Sequence, residues 1–309
     1  MMLSIVVPLH NEELAIPALF PRLIDSLEKT ECQDYEIICV DDGSADKTVK
    51  ILEEIRKSIP QIKVVVLSRN FGLDVAVSAG LAFAKGDAVI PMDADLQDPP
   101  ELIPQMIDLW QAGNKVIIAV RNDRAGETWL KKTTASLFYR LFNLVSDIRI
   151  PYNSGNYRLL DRKVVDIINT MPERTRFLRA MSVWVGFKQT IIAFDRESRV
   201  EGQSKFNFRR MLSYAIDGIT SFSAIPLRIV GMVGLMISSI SFFYAVILIV
   251  IKLFFRGIVP GYTSLMVGML FLGGVQLLSI GILGEYLGRV YNEVKSRPLY
   301  IVQEKIGIE

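Results

Sequence analysis

The sequence predicts an α/β protein, a Rossmann-like and mostly parallel sheet followed by interfacial amphipathic helices and two transmembrane helices. Three observations predict it. Short β-branched runs alternate with helical patterns from Leu3 to Val120. Polar clusters follow directly on those runs. Two stretches without a charged residue, 229–251 and 262–284, each reach the roughly 20 residues a helix needs to cross hydrocarbon.

The strand-like runs are 3–8, 36–40, 62–67, 88–92 and 116–120, and helical patterns fill the gaps at about 13–29, 45–58, 73–84 and 101–112. Strands separated by helices require crossover connections, hence parallel pairing with both sheet faces covered. His10-Asn11-Glu12, Asp41-Asp42-Gly43-Ser44, Arg69-Asn70 and Asp93-Ala94-Asp95 then come at carboxyl ends of strands. In an open α/β sheet those ends share one edge, where ligands bind. A dinucleotide glycine fingerprint and a GxxxxGK phosphate loop are both missing, which argues against dehydrogenases and P-loop NTPases.

Beyond Arg121 the alternation lapses. A helix at about 129–145 places Leu130, Leu137, Phe138, Leu141, Phe142 and Val145 on one side, interrupted by Lys131, Lys132 and Arg140. A second segment spaces Phe208, Met211, Leu212, Ala215, Ile216, Ile219 and Phe222 by threes and fours, behind Lys205, Arg209 and Arg210. Apolar stripes with basic ends suit helices lying in the headgroup layer, with core-facing helices as the alternative. The expected organisation is an α/β domain over 1–205, which includes the helix at about 129–145, a juxtamembrane amphipathic helix over 206–226, two membrane helices within 227–288 and a cytoplasmic tail over 289–309.

No signal peptide precedes the strand that opens at Leu3, so the α/β domain and both termini are expected in the cytoplasm, on a multi-pass protein of the inner (plasma) membrane. Arg209, Arg210, Arg228, Arg289, Lys295 and Arg297 flank the pair inside, against Lys252 and Arg256 in the outer loop. Small residues at Gly268, Gly273, Gly274, Gly281 and Gly288 permit close helix packing, so a homo-oligomer is among the expected partners. Two helices without internal charge offer no polar pathway for a transporter. A net charge of +2 excludes nucleic acid as the main partner. Cys32 and Cys39 fit no metal-ligand spacing, and the single His10 reads as a turn residue near the ligand.

The chemistry concentrates in the Asp-x-Asp (DXD) signature. Asp93 and Asp95 offer hard oxygen ligands to a divalent cation that takes further oxygens from substrate phosphates. Such an ion offsets charge on a departing diphosphate. Gln97 adds an oxygen nearby. Asp41 points to nucleoside contact, while Ser44 or Asp46 caps the next helix. Asn11 and Glu12 are placed at the base and ribose, and Arg121 and Arg124 at phosphates.

Val6-Val7-Pro8, Asn11-Glu12-Glu13, Asp41-Asp42-Gly43-Ser44, Arg69-Asn70-Phe71-Gly72 and Asp93-Ala94-Asp95-Leu96-Gln97-Asp98-Pro99 together resemble glycosyltransferase family 2, with its GT-A fold. Trp184-Val185-Gly186, Arg196 with Arg199, Gly202-Gln203-Ser204-Lys205, Gly218-Ile219-Thr220-Ser221-Phe222-Ser223, Pro226-Leu227-Arg228 and Leu283-Gly284-Glu285-Tyr286-Leu287-Gly288-Arg289 narrow this to polyprenyl-phosphate glycosyltransferases, the bactoprenol glucosyltransferases and relatives of dolichol-phosphate mannose synthase among them. The resemblance implies an inverting transfer from a nucleotide sugar, UDP-glucose being favoured, to a polyprenyl phosphate with Mg²⁺ or Mn²⁺. It implies Asp95 as chief metal ligand and Asp93 as the residue that holds the donor's ribose or sugar, with Asp93 and Gln97 also beside the ion. Pro8, Asn11, Glu12, Asp41, Asp42, Asp93, Ala94, Asp95, Gln97 and Arg121 then line the donor. Arg124, Lys131, Lys132, Arg199, Ser204 and Lys205 meet the acceptor phosphate. Transfer of mannose or an aminoarabinose derivative, and a non-catalytic scaffold that binds a nucleotide sugar, are the alternatives.

One position departs. Family members carry Asp in the pattern Asn-x-Gly-Asp-Phe-Arg, and this chain has Asn153-Ser154-Gly155-Asn156-Tyr157-Arg158. Asn156 cannot accept a proton at neutral pH. A phosphate monoester, with its second pKa near ~6, needs little deprotonation at pH 7. The expectation is therefore reduced turnover with donor binding kept, and a rise in rate when Asp is restored.

Overall fold

Residue patterning accounts for the sheet strand by strand. β1 (Met2–Leu9) reads MLSIVVPL and is buried from Leu3 onward on both faces, as a central parallel strand must be. The computed structural model describes residues 1–30, 34–122, 150–195, 225–254 and 261–308. After β1 come α1 (Ile16–Glu28), β2 (Asp34–Asp41), α2 (Thr48–Ser58), β3 (Ile62–Leu67), α3 (Leu73–Phe83), β4 (Ala88–Pro91), α4 (Ile103–Gln111) and β5 (Val116–Arg121). β6 (Ser154–Asp161), α5 (Arg162–Thr170), α6 (Leu178–Trp184) and β7 (Gln189–Phe194) complete the central part. Two long helices, α7 (Ile225–Phe254) and α8 (Tyr262–Val294), precede a last strand, β8 (Val302–Ile306).

The sheet has eight strands in the order β7-β5-β6-β4-β1-β2-β3-β8. β1 pairs in parallel with β2 and β4, β2 with β3, and β5 with β7. β6 runs antiparallel between β4 and β5, and β8 antiparallel along β3. The carboxyl ends of β1 to β5 and β7 therefore share one edge with the amino end of β6.

One sheet face packs Leu3, Ile5 and Val7 against Ile16, Leu19 and Leu23 of α1. The other face receives α3 so closely that a Cβ on Gly80 would lie 2.2 Å from Val6 Cγ1. Near the amino ends of β1 and β2, buried Glu36 accepts from Ser4 Oγ at 2.6 Å, Lys85 N–H at 2.7 Å and Lys63 Nζ at 2.5 Å. Burial pushes its carboxyl up, but these three donors and the Lys63 charge outweigh that and hold it below its ordinary range.

The chain divides into two units, one of Met1–Gly218 with Arg297–Glu309 and one of Ile219–Ser296. Residues after 288 were expected as a tail. Instead α8 continues to Val294, and β8 joins the sheet with Val64 opposite Ile306 and Val65 opposite Lys305. Backbone pairing explains this: without β8 the amides of β3 would form an open edge.

In the second unit, Phe271–Val294 is a 24-residue stretch long and apolar enough to cross a membrane, and none of its window is buried. A core helix of a soluble protein would be mostly buried, and this stretch is not buried among the described residues. Leu277, Leu278, Ile280 and Leu283 are all exposed. The sequence led us to expect two crossings. Among the described residues one stretch meets the requirement, and α7 contributes a shorter apolar segment, Val230–Tyr244. The helices expected at 129–145 and 206–226 lie outside the described residues, apart from the start of α7.

Candidate active site

The loops at the carboxyl edge hold one another in place. Asn11, in the left-handed region at φ 56°, donates its N–H to Ser44 Oγ at 2.9 Å and accepts from Ala45 N–H through Oδ1 at 2.8 Å. Glu12 N–H donates to Thr48 Oγ1, and Glu13 N–H to Asp46 Oδ2. His10 Nδ1 donates to the Asp42 carbonyl at 2.9 Å, so its ring braces the turn. Asp46 Oδ1 accepts from Thr48 N–H at the start of α2, so Asp46 supplies the capping contact and Ser44 serves Asn11.

Asp41 and Asp42 divide the work. Both Asp42 oxygens accept backbone N–H groups, Phe71 at 2.6 Å and Gly72 at 2.9 Å. Asp42, grouped by sequence with the donor contacts, thus pins the β3–α3 loop, because two converging amides take its charge. Gly43 (φ +69°) lets this loop approach: a Cβ there would sit 2.6 Å from the carbonyl carbon of Arg69. Asp41 Oδ2 accepts Ser44 N–H at 3.0 Å, while Oδ1 is buried with no hydrogen-bond partner among the described residues. Burial pushes the Asp41 carboxyl up, against the Ser44 bonds and the His10 charge. A buried acceptor without a donor calls for a ligand N–H or O–H.

The loop after β4 gathers three carboxylates. Asp98, 1% exposed, accepts Asp93 N–H at 3.1 Å, and Asp95 Oδ1 accepts Gln97 N–H at 3.1 Å. Leu96 between them holds φ 61°, a costly value for a bulky residue. Its side chain is buried and Tyr157 Oη donates to the Pro99 carbonyl at 2.7 Å, which together fix the loop. Burial, then the charges of Asp98 and Asp95, push the Asp93 carboxyl up to about 7, against Arg121 and Arg179. Asp93 Oδ1 is buried without a hydrogen-bond partner among the described residues. Under-compensated hard oxygens of this kind fit a divalent cation. No group of three His, Cys, Asp or Glu side chains forms a ready cage among the described residues, so an ion here needs oxygens from a phosphate ligand.

Basic groups flank these acids. Arg121, at the end of β5, places Nη2 3.8 Å from Asp98 Oδ1. Asn156, 4% exposed on β6, donates Nδ2 to Asp74 Oδ1 at 3.3 Å and accepts from Arg179 Nε through Oδ1 at 3.3 Å. Arg158, fully buried, donates to the Gly155 carbonyl at 2.5 Å, to the Arg179 carbonyl at 3.3 Å and to Ser182 Oγ.

Acid pair, basic flank and ordered edge thus belong to one α/β unit, and its residues 4–168 match the family described as Glycosyl transferase family 2. The chain belongs to glycosyl transferase family 2. This family 2 glycosyltransferase is an enzyme with a GT-A-like fold. It is 52% identical to the uncharacterized glycosyltransferase sll0501 of Synechocystis over 99% of this chain and 96% of that protein. It is 45% identical to the SfII prophage-derived bactoprenol glucosyl transferase of Shigella flexneri over 98% of each. The TarS fragment 1–349 of S. aureus, crystallised with UDP-GlcNAc, is similar with a TM-score of 0.46 and 18% identity, covering 72% of this chain and 66% of that one.

Of the donor residues expected from sequence, Asn11, Glu12, Asp41, Asp93, Ala94, Asp95, Gln97 and Arg121 all lie on this edge. Pro8 is internal to β1, opposite Val40. Arg124, Lys131, Lys132, Arg199, Ser204 and Lys205 lie outside the described residues. The sequence did not single out Asp74 or Arg179. Asp74 reads as an ordinary acid in the first turn of α3, and Arg179 follows Leu178 in a short helix with no motif of its own.

Proposed function

We propose that this glycosyltransferase moves glucose from UDP-glucose to undecaprenyl (polyprenyl) phosphate at the cytoplasmic face of the membrane, with both α7 and α8 crossing it. The observation that carries the reading is the 45% identity to a bactoprenol glucosyl transferase, which runs through both units rather than the catalytic one alone. The acidic edge and the apolar α8 supply the two physical needs, a place for a nucleotide diphosphate and an anchor in lipid.

In this reading Asp41, Asn11 and Glu12 hold the nucleoside. Asp95 with Asp93 and Gln97 would hold Mg²⁺ or Mn²⁺, which when bound supplies positive charge to the leaving diphosphate. Arg121 stands beside the same acids. An acceptor phosphate oxygen attacks the anomeric carbon from the face opposite UDP. The new C–O–P bond forms as the bond to the diphosphate breaks, and the configuration inverts. The acceptor is already largely dianionic at pH 7, so little proton transfer is asked of the protein.

The test is UDP release by the full chain with undecaprenyl phosphate, comparing UDP-glucose, GDP-mannose and UDP-N-acetylglucosamine with and without divalent metal. UDP-glucose should be turned over only with lipid and metal, and Asp95→Ala should lower the rate by on the order of 100-fold or more. Preference for another donor, lipid-independent release, or an Asp95→Ala variant as active as wild type would each overturn the assignment.

A further inference from the structure

Asp74, Asn156 and Arg179 form a polar chain that the proposed transfer leaves without a role. Asp74 comes from the first turn of α3, Asn156 from β6 and Arg179 from α6, so three elements distant in sequence converge. The amide between them is oriented. Its nitrogen faces a carboxylate that can only accept, and its oxygen faces a guanidinium that can only donate. Turning it over would set donor against donor and acceptor against acceptor.

Two further observations tie the chain to the acidic edge. Arg158 links the Gly155 carbonyl, next to Asn156, to the Arg179 carbonyl, which holds β6 and α6 in register at this point. Asn156 lies near the amino end of β6 and Asp74 in the first turn after β3, so both stand at the edge shared by the carboxyl ends of the parallel strands.

We propose that Asp74 is a positioning residue of the transfer: through Asn156 it fixes the Arg179 guanidinium at the acidic edge, where Arg179 meets a phosphate group of a bound substrate. This rests on the reading of the site given above. The phosphate belongs either to the donor diphosphate or to the lipid acceptor, and kinetics separate the two. The ordinary alternative is that Asp74 only complements the dipole of α3, which affects stability and not the reaction.

The experiment uses the full chain in detergent with UDP-glucose, with and without undecaprenyl phosphate, for Asp74→Asn, Asp74→Glu, Asn156→Asp, Arg179→Lys and the double variant Asp74→Asn/Asn156→Asp. Asp74→Asn removes the acceptor that orients the amide, and should lower kcat/KM by about 10- to 100-fold. Arg179→Lys should fall at least as far. Asp74→Glu should stay within about threefold, and the double variant, which moves the carboxylate one position along the chain, should return to within about tenfold of wild type. A rise in the donor KM assigns Arg179 to the diphosphate, and a rise in the lipid KM assigns it to the acceptor. Thermal melting of each variant separates loss of fold from loss of function. An Asp74→Asn variant within about twofold of wild type overturns the proposal, as does a loss the double variant does not recover. If wild type transfers nothing to the lipid, the functional reading falls by itself. UDP release into water is then compared across the same variants, and equal rates overturn the positioning role.

Discussion

Replacing Asn156 by Asp places a carboxylate 3.3 Å from Asp74 Oδ1 and 3.3 Å from Arg179 Nε. At an effective dielectric of ~20 each of these interactions is worth about 5 kcal/mol, with opposite signs, so they nearly cancel. What remains is burial, since position 156 is 4% exposed. Desolvation disfavours the charged form and lifts the new carboxyl toward neutrality. Raising a carboxyl from its ordinary range to near pH ~6 costs about 3 kcal/mol of stability at higher pH. The sign follows from linkage: the folded value lies above the unfolded one, so Asn156→Asp should match wild type at pH ~4 and lose stability as pH rises through the folded value. Activity should move the other way. Below that value Asp74 and the new carboxyl share one proton and carry one negative charge between them, as Asp74 alone does in wild type. Above it a second carboxylate holds the Arg179 guanidinium directly, and turnover should exceed wild type by about tenfold. The assay is the ratio of variant to wild-type rate from pH 5 to 8, in which titration of the acceptor phosphate cancels, paired with melting temperatures over the same range. A ratio that is flat across this range, or below one throughout, refutes the reasoning.

Three further outcomes follow from the packing. Gly43→Ala forces a Cβ to 2.6 Å from Arg69 C at φ +69°, so melting should show a loss of at least about 1–3 kcal/mol together with weaker UDP binding. The Glu36 carboxyl is held below its ordinary range, so its contribution is present above that range and lost as pH falls through the lowered value. Melting temperature should therefore drop between about pH 5 and 3, and Glu36→Gln should be destabilised by about 3 kcal/mol at pH 7 and flatten the drop. Ending the chain at Tyr300 removes β8 and uncovers Val64 to Leu67 on β3. Light scattering should then detect aggregation, and melting a loss of several kcal/mol, at about 1 kcal/mol per ladder hydrogen bond.

Much of the catalytic sheet was legible because its signals are local. The runs at 3–8, 36–40 and 62–67 are each apolar enough to be buried on both faces, and each became a parallel strand. Topology then brought the following polar clusters to one edge. The antiparallel strands were not legible. β6 follows a long interval and carries buried Asn156 and Arg158, so it lacks the apolar run that marked the others. β8 reads VQEKI, and its edge position lets charged residues sit in a strand.

The sequence by itself determined the strands β1 to β5, the acidic pair after β4 and the apolar helix near the C-terminus, because each depends on neighbours within a few residues. Only the tertiary structure decided that Asp42 is a brace, that the chain end returns to β3, and that Asp74 and Arg179 meet through Asn156. Those outcomes depend on which backbone amides and charges arrive from elements distant along the chain. No local pattern encodes such an arrival. A carboxylate looks the same in sequence whether two amides from the next loop or a substrate will take its charge.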